Sequence, residues 1–156
     1  MKIAVHQMCS GIDPVENTQK ITDGIAVAGQ QGACMYFAPE MSVLIDRDRQ
    51  RAKASIAVEP GNAWLDIICK AAFDASIWVN LGSMPIVHED GSGRYGNRSI
   101  VIDDQGIVRA RYDKMHLFDV DLSTGERWRE SAAYREGDGP VVIETPVGLM
   151  GLTICY

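Results

Sequence analysis

The sequence predicts an α/β layered sandwich, and three observations carry that expectation. A strand-like stretch, an amphipathic helix and a short apolar run follow one another up to residue 38, the order of a parallel crossover unit. A second amphipathic helix precedes another apolar run over 62–84. Two strand-like runs then flank Asp103-Asp104-Gln105-Gly106, so hairpin pairing is mixed with parallel units.

Residues 2–8 mix apolar and polar positions over a strand's length. Asp13 can cap the helix that follows, Pro14 suits a first helical position that needs no N–H, and Glu16 stands three residues after the cap. Ile21, Ile25 and Ala28 recur at helical spacing, and Gly32 is a stop. Residues 33–38 (ACMYFA) read as a buried strand that delivers Pro39-Glu40 at its end. Residues 41–58 give no clear pattern, although the charged stretch 46–53 is expected to be solvated. Pro60-Gly61 breaks the chain before a helix over 62–75, whose apolar face is Trp64, Leu65, Ile68, Ala71 and Ala72.

The run 77–84 reads as one buried strand, and 86–96 as an exposed loop or loose hairpin. The runs 97–102 and 107–112 surround a turn with glycine where positive φ is needed. The polar segment 113–139 is expected to lack regular structure, and loops of that length are usually functional or disordered. Strands are expected over 141–144 and 149–155, around Pro146-Val147-Gly148. The expected total is two helices among six to eight strands. With no helix left to cover the second face of the sheet, the chain reads as incomplete or as lacking a partner half.

Composition bounds the function. Apolar residues make up 46 % and charged residues 23 % of the 156 positions, ordinary for a soluble globular domain. A net charge of −6 without a basic face argues against nucleic acid. No stretch approaches the roughly 20 apolar residues of a membrane span, and the opening residues read as a strand rather than a secretory signal. Cys9, Cys34, Cys69 and Cys155 show no zinc-ligand spacing, so no metal is expected and reduced thiols in a cytoplasmic protein are the simplest account.

Taken singly, Cys155 reads as a buried structural thiol, as do Cys9, Cys34 and Cys69. Glu40 reads as a solvated strand-end carboxylate, and Lys114 as a surface lysine or a partner of Asp113. Taken together, Glu40, Lys114 and Cys155 all fall at or just after the end of an expected strand, the edge where open α/β sheets place their sites. A thiol is mostly protonated at neutral pH, so its attack on an amide needs a base or a positive neighbour. A carboxylate and an ammonium supply both.

The segments FAPE (37–40), NRSIVID (97–103), RYDKMHLFDVDL (111–122) and LTICY (152–156) resemble, in order and separation, the signature blocks of the nitrilase superfamily of carbon–nitrogen hydrolases. The resemblance spans the whole chain. It implies a four-layer αββα sandwich, incomplete here on the carboxyl-terminal side, with residues 1–156 as the amino-terminal portion of one hydrolase domain. It implies Glu40 as general base, Lys114 as oxyanion stabiliser and Cys155 as nucleophile. It further implies that Glu130 orients Lys114, that the Tyr156 main-chain N–H is the second oxyanion donor, and that His116 packs or supports. Tyrosine after the cysteine, with HLFDVDL, is similar to the branch of omega-amidases and deaminated-glutathione amidases. The implied substrate is a small amide, no cofactor is needed, and a homo-oligomer, a dimer or higher, is expected. A nitrile or N-carbamoyl amine hydrolase and a catalytically silent binding or assembly module stay open. The family pattern continues beyond Cys-Tyr, whereas this sequence stops; a terminal carboxylate at Tyr156 would oppose thiolate formation, so the 156-residue chain alone is expected to be inactive.

Overall fold

A computed structural model describes all residues except Glu89 and Tyr156. Strand β1 (Ile3–Val5) leads into helix α1 (Pro14–Gln30), whose Asp13 cap accepts the Val15 N–H at 2.8 Å. Strand β2 (Met35–Phe37) then pairs parallel to β1, Ile3 opposite Met35, as the crossover pattern predicts. A short helix α2 (Arg49–Lys53) occupies the charged stretch, capped by Asp48. Helix α3 (Ala63–Ala75) begins at the Asn62 cap and stops where Ser76 turns left-handed, φ 49°.

The run expected as one strand over 77–84 is two. Strand β3 (Trp78–Asn80) pairs parallel to β2, and β4 (Met84–Val87) pairs antiparallel to β5 (Tyr95–Ile102). Gly82 lies between them at φ 75°, and a Cβ there would fall 2.1 Å from the Pro39 carbonyl oxygen. The backbone bends at Gly82 so that the loop after β2 can press against it. An apolar run cannot show such a break. Strands β3 and β4 share one edge of β5, and β6 (Val108–Asp113) takes the other, completing a six-stranded mixed sheet.

The β5–β6 turn is as the sequence predicts, with Gly106 at φ 72°. Asp103 closes it, accepting the Gln105 and Ile107 N–H groups at 2.9 Å. The segment 113–139 is a correction. It holds a hairpin of β7 (Asp119–Asp121) and β8 (Arg127–Arg129), then a 3-10 turn over Glu130–Ala132. Its strands, Asp-Val-Asp and Arg-Trp-Arg, are three residues each, too short for an alternation to stand out in the sequence, and opposite charges join them: Arg129 donates to Asp121 at 2.7 Å. A second hairpin, β9 (Val142–Thr145) and β10 (Gly148–Gly151), follows, and residues 152–155 continue from it without regular structure. The last strand thus ends at Gly151, short of the expected 155. The described residues hold three helices and ten strands instead of two and six to eight.

Side chains alternate across the sheet. Tyr36, Val79, Ile100 and Ile102 face α1 and α3, meeting Ile21, Ile25, Leu65 and Ile68 in the main core. Met35, Val101, Ala110 and Tyr112 face the other way, against Leu152, Ile154 and the inner side of β9–β10. The second face is therefore partly covered by a hairpin rather than left bare. Beyond the hairpin, Leu149 is 79 % exposed and Val142 60 %. Among the described residues no helix is long and apolar enough to cross a membrane, and no group of His, Cys, Asp and Glu is arranged to hold a metal ion.

Candidate active site

Glu40 sits on the loop after β2, where Ala38 N–H still bonds the Asn80 carbonyl at 2.9 Å. The chain then turns through Met41, a non-glycine residue at φ 53°. Ser83 Oγ accepts the Met41 N–H at 2.8 Å, and the Ser83 carbonyl accepts the Ser42 N–H at 2.9 Å. Two hydrogen bonds and the Gly82 contact thus aim a side chain that loop residues alone would leave free.

Lys114 directly follows β6. Its main-chain N–H bonds the Asn97 carbonyl and its carbonyl accepts the Gly137 N–H, both at 2.9 Å. The side chain is only 4 % exposed, so it is neither the surface lysine nor the Asp113 partner that the bare sequence allows. Asp113 is held instead by Arg98. Lys114 Nζ donates to Glu40 Oε1 at 3.0 Å and to Glu130 Oε2 at 3.0 Å. Burial works against the ammonium, but the hydrogen bonds and charges of Glu130 and Glu40 outweigh it and raise its pKa above the usual lysine value.

Glu130 opens the 3-10 turn, and Oε2 also accepts the Phe118 N–H at 2.7 Å. The same carboxylate therefore fixes both the ammonium and the β7–β8 segment. It is not a free loop carboxylate. Tyr134 lies nearby, its hydroxyl pushed up to about 12 by burial and by the charge of Glu130, so it stays a neutral phenol.

Cys155 is exposed and takes φ 63°. A left-handed backbone at a non-glycine residue is strained, and such strain collects at functional positions. Taken singly, the four cysteines predict buried thiols; Cys9 and Cys155 are instead exposed, while Cys34 and Cys69 are half-buried. Leu152 and Ile154 anchor the segment in the second core, which also packs against Met115, the residue after Lys114. Among the described residues, Sγ of Cys155 makes no hydrogen bond with Glu40, Lys114 or Glu130. Tyr156, expected to give an oxyanion donor, lies outside the described residues. His116 is exposed rather than packed.

One residue of this cluster carries no role in the sequence reading. Asn97 is fully buried, and Nδ2 donates to Glu40 Oε1 at 2.8 Å. Its only signal was its place at the head of NRSIVID. The arrangement is a buried cation between two carboxylates, beside an amide donor. It can move a proton at Glu40 and neutralise a developing anion at Lys114.

A family model described as carbon-nitrogen hydrolase matches residues 2–156. The deaminated glutathione amidase of Yersinia enterocolitica is 31 % identical over 99 % of this chain and 54 % of its own length. Its counterpart in Homo sapiens is 31 % identical over 99 % of this chain and 48 % of its own. The chain thus spans about half the length of these curated relatives. The crystal structure of the Caenorhabditis elegans NitFhit protein superposes with a TM-score of 0.87 at 30 % identity, covering 99 % of this chain and 37 % of that one. A variant of the amidase from Nesterenkonia sp. AN1, with acrylamide added at its active-site cysteine, superposes at 0.79 and 25 % identity, covering 100 % and 57 %. By the family match over almost its whole length, the chain belongs to the carbon–nitrogen hydrolases.

Proposed function

We propose that the protein hydrolyses the C–N bond of a small amide through a thioester, with Glu40, Lys114 and Cys155 as catalytic residues. The observation that carries this reading is the Lys114 ammonium, buried and held at 3.0 Å from Glu40 Oε1 and from Glu130 Oε2. A surface ion pair has no need of a second carboxylate, whereas a cation that meets an oxyanion must stay charged while desolvated.

In the first half-reaction Glu40 takes the Cys155 proton as sulfur attacks the amide carbon. The carbonyl oxygen becomes an oxyanion facing Lys114. Protonated Glu40 then gives its proton to the nitrogen, the C–N bond breaks, and ammonia leaves a thioester. In the second half-reaction Glu40 takes a proton from water, hydroxide adds to the thioester carbon, and collapse expels the Cys155 thiolate. Glu40 returns the proton to sulfur and the acid departs. Glu130 keeps Lys114 charged and aimed throughout. Thiol, base and cation suffice for these steps without a cofactor.

The omega-amides of dicarboxylic acids are the favoured substrates, supported by the deaminated glutathione amidases among the relatives. Residues 1–156 act as part of one hydrolase domain. Cytoplasmic residence belongs to the same reading, supported by four free thiols. So does a homo-oligomer, supported by the exposed Leu149 and Val142 on the outer side of the second hairpin.

The test is Cys155→Ala in the full-length protein, assayed for ammonia release from a glutaramate-like amide, a nitrile and an N-carbamoyl amine. Loss of turnover with the amide as preferred substrate is expected. Turnover that survives the substitution removes the mechanism.

A further inference from the structure

We infer that Asn97 is a positioning residue that ties down one oxygen of Glu40, so that the other oxygen, Oε2, carries the proton in catalysis. The inference rests on the reading of Glu40 as general base and assigns that role to a single atom.

Glu40 has three rotatable side-chain bonds, stands on a loop, and leaves its side chain 35 % exposed. A carboxylate so placed samples many rotamers unless something holds it, and a base displaced by an ångström loses most of its effect. Two donors hold it: Asn97 Nδ2 at 2.8 Å and Lys114 Nζ at 3.0 Å. Both reach the same oxygen, Oε1. Among the described residues no donor is placed on Oε2. A carboxylate oxygen that already accepts from an ammonium and an amide is the poorer proton acceptor of the two, so the division of labour follows from the contacts.

Asn97 is suited to this in a way its neighbours are not. It stands in the middle of the sheet, opposite Pro85 of β4, and its carbonyl accepts the Lys114 N–H at 2.9 Å. One residue therefore grips the base by its side chain and the lysine by its main chain. Its position cannot drift without moving both. Its stability cost points the same way. The Asn97 Oδ1 atom is buried without a hydrogen-bond partner among the described residues. A buried acceptor left unpaired is unfavourable, and an aliphatic side chain of similar size would avoid it. The amide donor to Glu40 is the feature an aliphatic side chain would lack.

The experiment uses the full-length protein and four variants: Asn97→Ala, the near-isosteric Asn97→Asp, Glu40→Gln and Cys155→Ala. Ammonia release gives kcat and KM across pH, and thermal midpoints establish that each assay runs on folded protein. Asn97→Ala is expected to lower kcat about 10- to 100-fold, with KM changed less than about threefold. Asn97→Asp keeps the packing but turns an acceptor toward Oε1. Its kcat should fall below that of Asn97→Ala at neutral pH and recover as the pH is lowered, when a proton between the two carboxyls restores a donor. A purely structural role predicts the reverse order, with the isostere the more active variant at every pH. That order, or a kcat for both Asn97 variants within about twofold of the parent, overturns the inference. The two controls separate the levels: turnover surviving in Cys155→Ala or Glu40→Gln sinks the catalytic reading itself. Loss in both, with Asn97 variants fully active, sinks only the role of Asn97.

Discussion

Arg98 and Asp113 face each other across β5 and β6, Arg98 Nε and Nη2 donating to the two Asp113 oxygens at 2.7 and 2.8 Å. Arg98 Nη1 also reaches Glu59 Oε2 at 2.8 Å, and His88 Nε2 lies 3.3 Å from Asp113 Oδ2. Each member of the pair immediately follows or precedes a site residue, Asn97 before Arg98 and Lys114 after Asp113. Because successive strand residues point to opposite faces, the charged cluster on one side fixes the register that brings Asn97 and Lys114 together on the other.

Removing one partner would leave the other charge desolvated. Arg98→Ala and Asp113→Ala are each expected to cost about 2–4 kcal/mol, measured by urea unfolding, the lower end reflecting partial exposure. Arg98→Lys should recover little, since a lysine cannot make two parallel bonds to one carboxylate. A cost under about 1 kcal/mol for either alanine variant would mean that the register is held elsewhere.

The four thiols should separate by environment. Cys69 is half-buried on α3, its thiol pushed up to about 11 by burial and by the charges of Asp66, Glu59 and Asp103. Almost none of it is thiolate at pH 7.5, and the thiolate is the nucleophile. Iodoacetamide labelling followed by mass mapping should modify the exposed Cys155 and Cys9 first and Cys69 last. On the proposed mechanism Cys155 outpaces Cys9, and Glu40→Gln slows labelling at Cys155 alone. Equal rates at Cys9 and Cys69 would refute the assigned environment of α3.

The parts of the fold that were legible in the sequence are those with a strong local signal. The Asp13-Pro14 helix start and the Asp103–Gly106 turn each depend on residues close together in the chain, and the crossover from β1 to β2 follows from three such local patterns in succession. The β7–β8 hairpin was not legible, because each strand is only three residues long and charge pairs flank the single Val120–Trp128 apolar pair. The division of 77–84 into two strands depends on the Gly82 contact with Pro39, a tertiary fact. The site divides the same way. Glu40, Lys114 and Glu130 could be named from motif resemblance, and the structure brings those three together. Asn97 could not, since its role exists only where β5 passes beneath the Glu40 loop.

Glu130 makes the contribution of Lys114 to stability depend on pH. Lys114 has a folded pKa raised above its ordinary value of about 10.4, with burial opposing and Glu130 and Glu40 prevailing. A group raised in this way contributes stability that is fully present below the unfolded value and is lost as pH climbs through the folded one. Glu130→Ala removes one of the two carboxylates and also frees the Phe118 N–H that Oε2 accepts at 2.7 Å. Urea midpoints of parent and variant should therefore differ by a constant amount from pH 6 to 9 and draw closer as pH climbs past about 10.4, down to the part owed to the lost Phe118 bond. In the full-length protein kcat should fall about 10- to 100-fold, because the ammonium is no longer held against the oxyanion position. Glu130→Gln should fall between the two, retaining an acceptor for Phe118 but not the charge. A stability gap that widens at alkaline pH would show that Glu130 does not raise the Lys114 pKa, and an unchanged kcat would show that Lys114 does not need it for its chemistry.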